Sequence, residues 1–81
     1  MEFIKITKDG KVNQVINPKA IVSVERTFDD PHGNKYTEIV LSSNGVIKVA
    51  ETFESVIEIL ETQDYENPLT AYDYKFEFSI K

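Results

Sequence analysis

Turn signals divide the N-terminal half of the chain into short segments, and their spacing limits the fold more than any other feature. Asp9-Gly10 predicts a tight hairpin turn with positive φ angles, and Asn17-Pro18 breaks the strand that precedes it. Asn44-Gly45 predicts a type I′ turn, which requires positive φ at both central residues. Short segments between such turns favour an antiparallel meander or a small barrel over a parallel sheet.

Six strands are predicted between these turns and at the end of the chain. They cover residues 2–7, 12–16, 20–27, 36–42, 46–50 and 71–81. An amphipathic helix is predicted over about 52–63, with Thr52 as the N-cap residue that accepts the Ser55 amide. Its apolar residues recur at helical spacing and are Phe53, Val56, Ile57 and Leu60. The predicted class is α+β, a small antiparallel sheet or open barrel of five to six strands with the helix packed on it.

The length of 81 residues predicts a single domain. Residues 1–63 are expected to form a β-rich core plus the helix, residues 64–70 a polar linker, and residues 71–81 a C-terminal strand. Pro68 supports the linker, because proline lacks the amide hydrogen that a continuing helix requires.

The C-terminal strand has the clearest alternation in the chain, with large apolar side chains on one face and polar side chains on the other. The apolar face consists of Tyr72, Tyr74, Phe76, Phe78 and Ile80. Exposed to water, this face would be a large apolar patch. It is therefore expected to pack either on the core of its own domain or on another protein.

The charge of the chain is acidic and unevenly distributed. The whole sequence has 9 Lys and Arg against 14 Asp and Glu, whereas residues 51–81 have two Lys and eight acidic residues. Direct nucleic-acid binding is not expected, because it needs a basic stripe that neutralises phosphates. The acidic surface instead suggests a basic partner, and it would be formed by Glu51, Glu54, Glu58, Glu61, Asp64 and Glu66.

Catalytic chemistry finds little support in the sequence. The chain has no cysteine, and its single histidine, His32, stands near Asp29 and Asp30 in a turn-forming stretch. A zinc site needs three or four ligands with second-shell support, so we expect no metal, no cofactor and no enzyme activity. The chain also lacks an apolar stretch long enough for a signal peptide or a membrane span, which predicts a cytoplasmic protein that does not enter the membrane.

Several motifs resemble those of a known family. They are Ile16-Asn17-Pro18, Ile21-Val22-Ser23-Val24, Asn44-Gly45 and Glu51-Thr52-Phe53-Glu54-Ser55-Val56-Ile57-Glu58. In this order they resemble the small FlbD-like bacterial proteins over about residues 3–60, and the resemblance implies no enzymatic site. A fainter similarity is to the LytTR domain, although Asp64-Tyr65-Glu66 stands where that family has its basic recognition segment.

The sequence therefore predicts a non-catalytic bacterial or phage protein-interaction or assembly module, with homodimerisation as its simplest form. An acidic inhibitor or nucleic-acid mimic that binds a basic partner is the alternative, and a metal or small-molecule site around His32 is a third, weaker one. The predicted partner-binding residues are aromatic or acidic, as interface cores and charged rims are. They are Tyr65, Tyr72, Tyr74, Phe76, Phe78, Glu54, Glu58 and Glu61.

Overall fold

A computed structural model describes residues 2–27, 31, 33 and 35–72. Within these residues the chain forms six strands, one α-helix and a short 3₁₀ turn at Pro18–Ala20. The elements are β1 (Ile4–Lys8), β2 (Lys11–Ile16), β3 (Ile21–Arg26), β4 (Thr37–Leu41), β5 (Val46–Val49), α1 (Phe53–Thr62) and β6 (Leu69–Thr70). This is the predicted α+β class, with antiparallel pairing dominant.

The strands form two three-stranded sheets, ordered β2-β1-β6 and β3-β4-β5. The segment 69–72 lies between them and hydrogen bonds to both. The Ala71 amide donates to the Thr7 carbonyl of β1, and the Tyr72 amide donates to the Lys48 carbonyl of β5, each at 2.8 Å. The two sheets therefore continue into one curled surface in the order β2-β1-β6-β5-β4-β3, which does not close into a barrel.

The last strand differs from the sequence-based prediction. Residues 64–70 were expected to form a polar linker, whereas Leu69 and Thr70 form β6, parallel to β1. Leu69 is only 1% exposed and belongs to the core. Burial of this one leucine, together with backbone pairing on both sides, draws the segment into the sheet. Of the predicted strand 71–81, Ala71 and Tyr72 lie beside β5 and the remainder lies outside the described residues.

The β1–β2 turn confirms its prediction. Asp9 and Gly10 have φ angles of 53° and 79°, and Lys8 pairs with Lys11 across a two-residue loop. Left-handed angles at both central residues match the twist of the flanking strands, as in a type I′ turn.

The β4–β5 turn corrects its prediction, because only Asn44 has a positive φ, of 71°. The Asn44 amide donates to the Leu41 carbonyl, and the Leu41 amide donates to the Gly45 carbonyl, which leaves a three-residue loop. With a two-residue loop, the register of β5 against β4 would shift by an odd number of residues. The side chains of one strand would then point to the opposite face of the sheet. The observed register instead keeps Ile39 opposite Ile47, with Ile39 fully buried.

The core is a single cluster of buried aliphatic side chains from both sheets and the helix. Its members are Ile4, Ile6, Ile16, Ile39, Val49, Val56 and Leu69. The one buried polar residue among those described is Thr37, whose hydroxyl donates to the Glu51 carbonyl at 2.7 Å. This hydrogen bond satisfies the hydroxyl and holds the chain that leads from β5 into α1.

Helix α1 begins and ends where the sequence predicts. The Thr52 hydroxyl accepts the Ser55 amide at 3.1 Å, and Gln63 ends the helix with a φ of 57°. The face that packs on the core is shifted from the predicted one. Val56 is buried, and Ile59 and Leu60 pack against the core cluster. In the same helix, the predicted core residues Phe53 and Ile57 are only half-buried and do not join that cluster. The stripe of Val56, Ile59 and Leu60 meets the core, whereas the Phe53 ring at the start of the helix lies against the Arg26 guanidinium.

Candidate interaction surface

The acidic residues predicted to face a partner lie on one side of α1. Glu54, Glu58 and Glu61 are all exposed, and their spacing of four and three residues places them on successive turns of one face. The helix therefore presents an acidic stripe to solvent, whose first member is close to the helix N-terminus.

Arg26, at the end of β3, contacts the first member of this stripe. Its Nη2 atom lies 2.7 Å from Glu54 Oε2, and its Cζ atom lies 4.6 Å from the centre of the Phe53 ring. The hydrogen bond from Arg26 is the main cause that lowers the pKa of Glu54 below its ordinary value of 4.5, and the Glu54 backbone amide acts in the same direction. Glu54 is thus bound within its own chain, although water and salt weaken a pair this exposed.

The predicted aromatic residues have different surroundings. Tyr65 is half-buried and packs against the core cluster, just after the helix. Tyr72 is half-buried and stacks on Tyr36, with ring centres 4.5 Å apart and ring planes 18° from parallel. The ammonium group of Lys48 lies 5.2 Å from the centre of the Tyr36 ring. The start of the C-terminal segment is therefore fixed on the sheet by a stacked pair of rings as well as by backbone bonds.

The other predicted aromatic residues, Tyr74, Phe76 and Phe78, lie outside the described residues. The same holds for the weaker candidate site at His32, Asp29 and Asp30. In the described part of the chain, no group of three or more His, Cys, Asp or Glu side chains is placed to hold a metal ion.

A groove of about 600 Å³ lies between the end of β3, the start of β4 and the N-terminus of α1. Tyr36 and Phe53 contribute aromatic walls, and Arg26 and Lys35 contribute positive charge. The Arg26 guanidinium is held by Glu54, which also lines the groove. A ligand that bound Arg26 would first have to displace that carboxylate.

An apolar surface that sequence reasoning missed lies on the β1–β2 hairpin. Ile4 and Ile6 point into the core, so the alternating residues of the same strand point outward. A β-bulge at Asn13 places Val15 opposite Lys5 and Val12 opposite Thr7. Residues three positions apart in a regular strand lie on opposite faces, but the bulge puts both valines on the outer face. We call the outward side chains of Phe3, Val12 and Val15 the hairpin face; they are 43%, 54% and 50% exposed.

The hairpin face borders an open sheet edge. Strand β2 pairs only with β1 among the described elements, and every residue from Lys11 to Val15 is exposed.

The alternation of Phe3 and Lys5 is visible in the sequence. The bulge at Asn13 is not, because it depends on the pairing of β2 with β1.

No α-helix in the described part of the chain has the length and apolar character needed to cross a bilayer. We found no protein-family model that matches the chain, and comparisons with curated proteins and with solved structures gave no match either. The similarities to FlbD-like proteins and to the LytTR domain therefore stay predictions from the sequence.

Proposed function

We propose that this protein is a non-catalytic protein-interaction module that self-associates through its C-terminal segment, residues 71–81. The observation that carries the proposal is the position of the first two residues of that segment. Ala71 and Tyr72 are held in the sheet by backbone hydrogen bonds to β1 and β5, and Tyr72 stacks on Tyr36. The aromatic residues that follow are therefore attached to a fixed point of the sheet, which lowers the entropy cost of binding a partner through them.

The chemistry of the segment supports the same proposal. Tyr74, Phe76 and Phe78 alternate with polar residues, so in an extended strand they would form one aromatic face, and a patch of that size is costly in water. A face of this kind needs an apolar surface to cover it. A second copy of the chain is the simplest source of one.

The first experiment is light scattering on the full chain at low and high salt. We expect a molar mass of about twice 9.3 kDa at both salt concentrations, because burial of apolar surface is not screened by ions. A monomer at both salt concentrations would overturn the proposal. It would favour the acidic alternative, in which the exposed Glu58 and Glu61 bind a basic partner with strong salt dependence.

A matched pair of variants tests whether the C-terminal segment is responsible. The double substitution Phe76→Asp and Phe78→Asp puts charge on the aromatic face, whereas Ser79→Asp puts charge on the polar face of the same strand. We expect the double variant to be monomeric and the S79D protein to remain a dimer, with unchanged circular dichroism in both. Equal dimerisation of the two proteins would refute a role for the aromatic face.

A further inference from the structure

We infer that the C-terminal segment of one copy adds to the free edge of β2 in a second copy as an antiparallel strand, with its aromatic residues on the hairpin face. This inference rests on the proposed function and names the surface that receives the segment. In a symmetric dimer each copy supplies one segment and one β2 edge, so two identical junctions form.

The edge of β2 has the properties of a receiving surface. Its backbone groups on the side away from β1 have no strand neighbour among the described elements, and five of its six residues are exposed. An added strand would pair with these groups through main-chain hydrogen bonds, as in other cases of strand addition. The hairpin face then provides the side-chain contacts.

The two surfaces also match in chemistry. The apolar residues of the segment alternate with polar ones, so all of them lie on one side of an extended strand. An aromatic residue beside a β-branched residue on a neighbouring strand is a favourable cross-strand pair. Val12 and Val15 are β-branched, lie on one face because of the bulge, and are both at least half exposed.

The position of Tyr72 favours pairing with the β2 edge of a second copy over pairing with the β2 edge of the same chain. Strand β6 runs parallel to β1, with Thr70 level with Thr7, so Tyr72, the last described residue, lies near the level of the β1–β2 turn. An antiparallel neighbour of β2 must instead start near Ile16, at the opposite end. Tyr72 lies about 20 Å from that point along the strand direction and about 14 Å from it across the sheet. The straight-line distance between the two is therefore about 25 Å. That distance uses most of the roughly 30 Å that residues 73–81 can span, and too few residues remain to pair.

The other open edge fits less well. Helix α1 packs along β3, and the Arg26 side chain at the end of that strand is held by Phe53 and Glu54. Strand β3 has one exposed large apolar side chain, Val22, which is 66% exposed. Val22 is therefore a matched control for Val15, since both are exposed valines on edge strands.

The test compares Val15→Glu with Val22→Glu in the full chain, with molar mass measured by light scattering. We expect V15E to be monomeric at concentrations at which V22E and the unchanged protein are dimers. Both side chains are exposed, so circular dichroism should show the same folded signal for all three proteins. Dimers of V15E, or monomers of V22E alone, would overturn the inference.

A mixing experiment shows directly that the two surfaces meet. V15E keeps an intact C-terminal segment, and the Phe76→Asp, Phe78→Asp double variant keeps an intact β2 edge. A mixture of these two monomeric proteins should form a heterodimer with one intact junction and weaker affinity than the unchanged dimer. If segments paired with segments, V15E would dimerise on its own, the double variant would stay monomeric in the mixture, and the inference would fail.

The outcomes also separate the inference from the proposed function. A dimer that is broken by the double variant but not by V15E leaves the proposed function intact and refutes the β2 edge as its receiver. A chain that is monomeric without any substitution refutes both.

Discussion

The two outer strands of the curled sheet, β2 and β3, meet solvent in different ways. Strand β3 has α1 packed along it, and its last residue, Arg26, contacts two side chains of that helix. Strand β2 has no helix packed on it to a comparable extent among the described elements, and five of its six residues are exposed, against three of six in β3. An edge strand with exposed valines is a template for pairing with another strand, so this difference supports our proposal that β2 receives the C-terminal segment of a second copy.

Helix α1 distinguishes the surroundings of β3 from those of β2. The helix follows β5 in sequence, yet it contributes Val56 to the common core and lies against β3. Strand β2 instead carries Lys11 at its start and a bulge at Asn13. Charged residues and bulges on an edge strand discourage unspecific pairing with other chains.

The largest expected effect concerns β6, the strand that joins the sheet containing β2 to the sheet containing β3. Leu69→Ala removes a side chain that is 1% exposed and leaves a cavity between β1 and the core. We expect the free energy of unfolding to fall by about 2–5 kcal/mol, measured by urea denaturation.

The control for this prediction is Thr70→Ala in the same strand. The Thr70 side chain is exposed, and its backbone amide still donates to the Glu51 carboxylate after the substitution. Its cost should be at most about 1 kcal/mol, from strand propensity. Similar losses for the two variants would mean that β6 does not connect the sheets through Leu69.

A smaller effect is expected at the N-terminus of α1, the helix that lies against β3. Thr52→Ala removes the hydroxyl that accepts the Ser55 amide at the start of α1. We expect a loss of about 0.5–2 kcal/mol in the free energy of unfolding, measured in the same way. Thr62→Ala, at the other end of the helix, is the control and should change stability by less than about 0.7 kcal/mol, because alanine is the better helix former. A T52A protein as stable as T62A would argue against this N-cap.

The smallest effect concerns the ion pair that links β3 to its helix. Arg26→Gln removes the main cause of the low pKa of Glu54, so this pKa should rise towards 4.5 in a carboxyl titration followed by NMR. Lys11→Gln, which removes the same charge from the uncovered edge, should leave it unchanged. If both substitutions moved the pKa equally, general electrostatics would explain the shift better than the Arg26 contact does.

The sign of the pH dependence follows from the same contact. Because the pKa of Glu54 is lower in the folded protein, the pair stabilises the fold fully above the ordinary value of 4.5. This contribution is lost as the pH falls through the lower, folded-state value. The R26Q protein should therefore show a shallower loss of stability over that acid range than the unchanged protein.

Features set by neighbouring residues could be predicted from the sequence. The Asp9-Gly10 turn and the Thr52 N-cap depend on residues within three positions of each other, so their residue types are informative. Strand β6 has only two residues and no periodic pattern, and the sequence could not distinguish it from a linker. The Tyr36–Tyr72 stack joins residues half a chain apart, and no local signal predicts it.

By itself, the sequence determined the α+β class, the helix boundaries, the antiparallel hairpins β1–β2 and β4–β5 and the aromatic alternation of the C-terminal segment. The tertiary structure decided which helix face meets the core, where the β4–β5 register lies, and that α1 lies against β3. The physical reason is distance along the chain. Turns and caps are satisfied by neighbours in sequence, whereas register and helix orientation depend on burial of side chains such as Ile39 and Leu69 against residues far away in sequence.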